Sequence, residues 1–230
     1  MCADAIRYQL VWRQRPLRAR NCGCGEKDRR AVDPPPILEL KVDGPGVSSG
    51  ECRQRLRDSN SVVICSIWSE DGTTEVISKP SGPPRLRQLI GNLVVSAFLG
   101  FDEHGREGCF FTFPDLSVRD TGLYRLKFSL VTLDQRQGSQ SPVTVELMSD
   151  VIQVWPAKGF PGMLKSSALV MALKEQGCSI PAKKGNDNED DGGNAGESND
   201  NEVSGHIKES IESSDDEEDA HPRKRTKLKQ

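Results

Sequence analysis

Residues 122–133, GLYRLKFSLVTL, constrain this chain more than any other stretch. Successive side chains of a strand point to opposite faces, so Tyr124, Leu126, Phe128 and Leu130 share one face and Arg125, Lys127 and Ser129 the other. A helix would scatter the same residues around its axis. The pattern demands a sheet with one face in a core and one in water. Seven further apolar or alternating runs have strand length: residues 6–12, 37–42, 62–68, 93–101, 109–113, 143–147 and 151–155. Turn formers separate them, among them Pro34-Pro35-Pro36, Gly44-Pro45-Gly46, Asp71-Gly72, Pro80 to Pro84, and Asp120-Thr121-Gly122. About eight strands with such punctuation predict a mainly β fold, an antiparallel sandwich.

One segment departs from this pattern. Residues 163–176 place Leu164, Ala168 and Met171 at helical spacing, contain no proline and stop before Gly177, a suitable left-handed residue after a helix. They predict a single C-terminal helix packed on the sandwich. Beyond Lys184 the composition changes to GNDNEDDGGNAGESNDNE, then SSDDEED, then PRKRTKLK, with no aromatic residue and no cysteine. Such a segment buries too little apolar surface to offset its ordering entropy. The expected organisation is a folded domain over residues 1–184, with its core in about 6–181, and a disordered tail over 185–230.

The net charge of −3 averages two unlike parts. The tail carries 14 acidic against six basic residues, and residues 1–184 carry 20 against 25, so the folded part is basic. No window approaches the roughly 20 apolar residues of a membrane span, and the first residues lack a signal-peptide pattern. The expectation is an intracellular soluble protein with no membrane partner. Seven cysteines, an odd number scattered from Cys2 to Cys178, point to reduced thiols rather than a disulfide framework.

Charge concentrates between Arg7 and Arg30, where eight Lys or Arg stand against Glu26 and Asp28. In RARNCGCGEKDRR the cations sit among small and glycine residues, which suggests a cationic loop able to neutralise phosphates and release counterions. A merely solvated loop is the competing reading. Cys22 and Cys24, with Cys52 downstream, fall short of a zinc site, which takes four ligands, and the domain offers one histidine, His104. They read as loop thiols, and neither metal nor cofactor is expected. Gly44-Pro45-Gly46-Val47-Ser48-Ser49-Gly50 lacks the Lys-Ser/Thr of a phosphate-binding loop and reads as a surface loop. No Gly-x-Ser-x-Gly exists, and His104 lies in the turn-like Asp102-Glu103-His104-Gly105, so no catalytic constellation argues for an enzyme. Trp12, Trp68 and Trp155 end strand-like runs, which favours packing over base stacking.

The tail ends in Pro222-Arg223-Lys224-Arg225-Thr226-Lys227-Leu228-Lys229. Arg223, Lys224, Arg225, Lys227 and Lys229 form the kind of run that a nuclear import receptor reads, with a polyanion tether as the alternative. Ser213 and Ser214, followed by Asp215-Asp216-Glu217-Glu218-Asp219, resemble an acidophilic kinase site, and the same acids would screen the basic domain.

Three ordered stretches carry a family resemblance: YQLVWRQRPLRARNCGCGEKDRRAVDPPPILEL, GCFFTFPDLSVRDTGLYRLKFSLV and DVIQVWPAKGFPGMLKSSALVMALKEQGC. Over residues 6–181 they resemble the velvet domain of fungal developmental regulators, and KEQGCSIPAKKGN is most similar to its spore-viability branch. The resemblance implies an immunoglobulin-like sandwich related to the Rel-homology domain. It also implies a nuclear transcription regulator of sporulation, development and secondary metabolism that binds promoter DNA as a homo- or heterodimer with other velvet proteins. In the family, DNA contact is associated with the basic loop before Asp-Pro-Pro-Pro, here Gly25 to Arg30 before Asp33-Pro34-Pro35-Pro36. Lys27, Arg29 and Arg30 match that loop. Gly25 and Asp28 thin its charge, and Arg18 and Arg20 are added as candidates on charge alone. The second reading is a non-enzymatic interaction subunit whose velvet partner supplies most of the DNA contact, or which bridges to a methyltransferase-containing complex.

Overall fold

The computed structural model describes residues 6–24, 29–57, 61–78, 86–132 and 143–181. The chain divides into Met1–Asn188 and Glu189–Gln230, and the second unit lies outside the described residues, as does the import run. Among the described residues twelve strands and two helices follow one another: β1 (Arg7–Gln14), β2 (Arg18–Arg20), β3 (Ile37–Asp43), α1 (Ser49–Arg57), β4 (Ser61–Ser69), β5 (Leu89–Ile90), β6 (Val94–Ser96), β7 (Phe98–Phe101), β8 (Glu107–Thr112), β9 (Ser117–Val118), β10 (Gly122–Thr132), β11 (Val143–Met148), β12 (Ile152–Trp155) and α2 (Ala168–Glu175). The fold is mainly β, as the alternation requires. Among the described residues no helix is long and apolar enough to cross a membrane.

One sheet has the order β1-β3-β8-β7 and the other β2-β12-β10-β4-β6, with β11 also paired to β10; β5 and β9 form a separate two-stranded ribbon. The named strand pairs are antiparallel except β12 with β2. Strand β10 is the spine of its sheet, registered with β4 from Tyr124↔Ser69 to Thr132↔Ser61. Its alternation is realised in full: Tyr124, Leu126, Phe128 and Leu130 are buried, and Arg125, Lys127 and Ser129 are half-exposed on the other face. Each fully buried large apolar side chain contributes about 1.5–3 kcal/mol, so this face alone is a large share of the core. Trp12 and Phe113 meet the Phe128 ring edge-on at 5.3 and 5.0 Å, the geometry that aromatic quadrupoles favour. Trp12 is therefore a packing residue, as its place at a strand end suggests.

Three expectations need correction. The run over residues 93–101 is two strands, not one: β6 pairs with β4 in one sheet and β7 with β8 in the other, and Ala97 stands between them. The Gly44–Gly50 stretch is a loop only at its start, because α1 begins at Ser49. The signal was present in Ser48-x-x-Glu51: Ser48 N–H and Oγ–H donate to Glu51 Oε2, and Glu51 N–H donates to Ser48 Oγ, a capping box. No residue of α1 is fully buried, so no apolar period announced it.

The third correction concerns α2. The helix is shorter than residues 163–176, starting after the N-cap Ser167, whose Oγ accepts from Val170 N–H. The stripe through Leu164, Ala168 and Met171 is not its packed face; Met171 is 42% exposed. Leu169, Val170 and Leu173 are buried instead, against Ile37 and Phe110 on the outer face of the β1-β3-β8-β7 sheet. Gly177 follows the helix with φ +91°, the left-handed turn expected there.

Candidate nucleic-acid interface

The cationic stretch leaves the sandwich along β2, which runs parallel to β12 with Arg18 opposite Gln153 and Arg20 opposite Trp155. Ala19 between them is fully buried, so strand alternation turns Arg18 and Arg20 away from the core. The two arginines then differ. Arg18 Nε lies 3.7 Å from the Asp33 carboxylate, which is 2% exposed and also accepts the Leu164 amide at 2.8 Å. Backbone bonds tie the same pair: Arg18 N–H donates to Asp33 O, and Asp33 N–H to Arg18 O. Arg18 is thus engaged in holding the loop to its exit strand. The Arg20 side chain has neither a carboxylate nor a hydrogen-bond partner among the described residues, and its Nε–H is buried without an acceptor.

After β2 the loop is fastened to the end of β12 and to the segment that contains β9. Asn21 N–H donates to Trp155 O, Cys22 N–H to Val118 O at 3.0 Å, and Gly23 N–H to Arg119 O at 3.2 Å. Both cysteines are loop thiols as read, but Cys22 is buried and its thiol donates to Val118 O. Burial pushes the Cys22 thiol above its ordinary pKa, against the pull of the Arg119 and Arg29 charges. Cys24 is exposed. Lys27 lies outside the described residues, with Gly25, Glu26 and Asp28.

The returning stem brings Arg29 and Arg30. One Arg29 Nη–H donates to the Asp115 carbonyl at 2.9 Å, and the Asp115 carboxylate lies 3.7 Å away. The Arg29 side chain stays 34% exposed. Arg30 is exposed, and among the described residues its guanidinium donates to the carbonyl of Arg29. Val32 N–H, donating to Leu116 O at 2.7 Å, closes the stem. The structure therefore collects Arg20, Arg29 and Arg30 at one edge of the sandwich, with Arg18 at its root.

A residue that the sequence did not single out joins them. Arg119 follows β9 and donates from Nη1 to the Gly23 carbonyl at 2.7 Å. It is 96 residues from Gly23 in sequence, and no local pattern predicts the encounter. Arg18, Arg20, Arg29 and Arg119 each keep a buried Nε–H without an acceptor. Among the described residues no group of three or more His, Cys, Asp and Glu is placed to hold a metal.

A family profile described as Velvet factor matches residues 8–85 and 75–187, which together cover most of the chain and all of the edge just described. The chain belongs to the velvet family. Among velvet relatives, it is 50% identical over 183 residues to the sexual development regulator VELC of Pyricularia oryzae, covering 78% of this chain and 41% of that protein. It is 48% identical over 181 residues to the spore development regulator vosA of Beauveria bassiana, covering 77% and 66%. A developmental and secondary metabolism regulator, ve1 of Gibberella zeae, is 34% identical over 193 residues, covering 77% and 36%. The chain thus spans less than two thirds of the length of these velvet proteins. The spore-development likeness holds, beside an equal likeness to the VELC type. The velvet relatives are named as regulators of development, not as enzymes.

Proposed function

We propose that this chain is a sequence-specific DNA-binding transcription regulator of fungal sporulation, development and secondary metabolism, acting in the nucleus as a velvet homo- or heterodimer. The observation that carries this reading is the set of Arg20, Arg29 and Arg30 on the stems of the cationic loop, of which Arg30 is exposed and Arg29 keeps 34% of its side chain exposed. Guanidiniums match phosphate oxygens and the guanine edge, so a DNA backbone along this edge would meet the exposed ends of Arg29 and Arg30. Phosphate contacts would fix register, and Arg29 or Arg30 would read a base. The names of the velvet relatives support the biological setting.

Fluorescence anisotropy of a labelled promoter duplex with the full chain, across a salt series and against scrambled competitor, tests the proposal. Binding that selects sequence and weakens with salt as several counterions are released supports it. Absence of binding at low salt overturns it.

A second reading has its own observation. Arg18 is held by Asp33 and Arg29 by Asp115, which leaves few free cations at the edge. An interaction subunit whose velvet partner provides most of the DNA contact would fit that thin set. Binding that appears only after a velvet partner is added favours it.

A further inference from the structure

We propose that Arg119 is a positioning residue for DNA binding: it clamps the cationic loop and acts on phosphate through that loop rather than by touching it. The inference rests on the nucleic-acid reading of this edge. Five consecutive residues, Asp115 to Arg119, fasten both stems of one loop. The returning stem is tied by Arg29 to the Asp115 carbonyl and by Val32 N–H to Leu116 O. The outgoing stem is tied by Cys22 N–H to Val118 O and by Gly23 N–H to Arg119 O. The Arg119 guanidinium adds the return bond to Gly23 O, a charge-assisted tie on the outgoing stem.

Gly23 suits this role. It has φ +56°, and nothing lies within 4 Å of an added Cβ, so glycine is required there by backbone conformation rather than by space. The left-handed turn is what meets Arg119 from both its N–H and its carbonyl. The clamp is itself anchored: Arg119 N–H donates to the carbonyl of the fully buried Gln88, whose side chain accepts from Asp120 N–H and donates to Asp120 O. One end of the Arg119 guanidinium is therefore committed to a carbonyl, whereas Arg20 and Arg30 remain available to a ligand. Ordering a loop on binding costs affinity, and fixing it beforehand removes that cost.

A double-mutant cycle on the full chain tests this, using R119A, R29A/R30A and the triple variant with a fluorescein-labelled mixed-sequence duplex of about 25 base pairs. R119A is expected to weaken binding about tenfold, the worth of one charge-assisted hydrogen bond, and to weaken the R29A/R30A variant less than about twofold. Equal losses in both backgrounds would make Arg119 an independent phosphate contact and overturn the proposal, as would no loss in either. Amide exchange provides an arm that needs no DNA. R119A is expected to speed exchange at Cys22 and Gly23 about tenfold or more while the thermal midpoint stays close to that of the parent. Unchanged exchange overturns the clamp even if DNA binds. If the parent chain does not bind the duplex, the nucleic-acid reading fails while the exchange result still decides the clamp.

Discussion

Arg13 donates a 3.1 Å hydrogen bond to Asp102, joining β1 to the turn between β7 and β8 across 89 residues. The same guanidinium reaches Glu39 at 2.9 Å and Glu103 at 3.2 Å, and lies over the Phe110 ring. Burial alone would raise the Asp102 pKa. The amides of Arg106 and His104, with the Arg106 and Arg13 guanidiniums, outweigh it and hold the carboxyl well below the usual carboxylate range. A folded-state pKa below the unfolded value gives stability that is fully present above the ordinary carboxylate pKa of about 4 and is lost as pH falls toward the folded value. D102N is expected to lose about 2 kcal/mol at neutral pH, since Arg13 and Arg106 lose a charged acceptor while Arg13 keeps Glu39 and Glu103, and the gap to the parent should narrow below about pH 4. Urea midpoints of both proteins from pH 7 to pH 3 check this; a gap that stays constant would exclude Asp102 as the acid-sensitive group.

F128A is expected to cost about 4 kcal/mol, because it removes the ring that Trp12 and Phe113 both meet edge-on in a fully buried place. F128L keeps much of the volume and should cost less than half as much. Denaturant unfolding followed by tryptophan fluorescence measures both, and near-equal losses would show that the aromatic contacts, rather than the filled volume, carry the stability.

Gln176, just past α2, acts as a one-residue strand partner for edge strand β7. Its Oε1 accepts from Phe101 N–H at 2.7 Å and its Nε2 donates to Phe101 O at 2.8 Å. Q176A frees both groups on an edge where Leu99 and Phe101 are exposed, so a loss of about 1–2 kcal/mol and faster self-association are expected. Light scattering during thermal unfolding, compared with the parent, tests this edge protection.

The strands were legible because burial on one face writes a period of two into the chain, most clearly in Tyr124 to Leu130. What escaped notice has physical causes. Ala97, where the chain passes from one sheet to the other, carries no turn signature. The α2 stripe misled because Leu164 precedes the helix, and the packed face is set by Ile37 and Phe110, distant in sequence. At the candidate site the cations were visible as composition, but not their partners. That Arg18 faces Asp33, that Arg29 reaches Asp115 and that Arg119 meets Gly23 are consequences of topology, not of spacing.

Two arginines of one basic stretch should separate stability from binding. R18A leaves the buried Asp33 carboxylate without its cation and is expected to cost about 2 kcal/mol of folding stability. R30A removes an exposed charge, so folding should change by less than about 0.5 kcal/mol while the salt slope of DNA binding falls by about one released ion. Parallel denaturation and anisotropy series on both variants check the contrast. A stability loss in R30A matching that in R18A would place Arg30 in the fold rather than at the interface.

Thiol reactivity should follow burial rather than proximity to arginine. Cys24 is exposed, whereas Cys22, Cys65 and Cys109 are buried. Desolvation raises the pKa of all three buried thiols, and beside Glu39 it pushes Cys109 up to about 12. A thiolate is the reacting species, so at pH 8 these groups stay protonated and shielded. Iodoacetamide on the native chain should label Cys24 first and leave Cys65 and Cys109 unlabelled until the sandwich opens. Cys22 is the informative case, because it lies under the loop that Arg119 holds. Peptide mass spectrometry over a time course should show Cys22 slow in the parent and faster in R119A, with Cys65 and Cys109 slow in both. Acceleration of all three together would mean that the substitution loosens the whole domain rather than the loop.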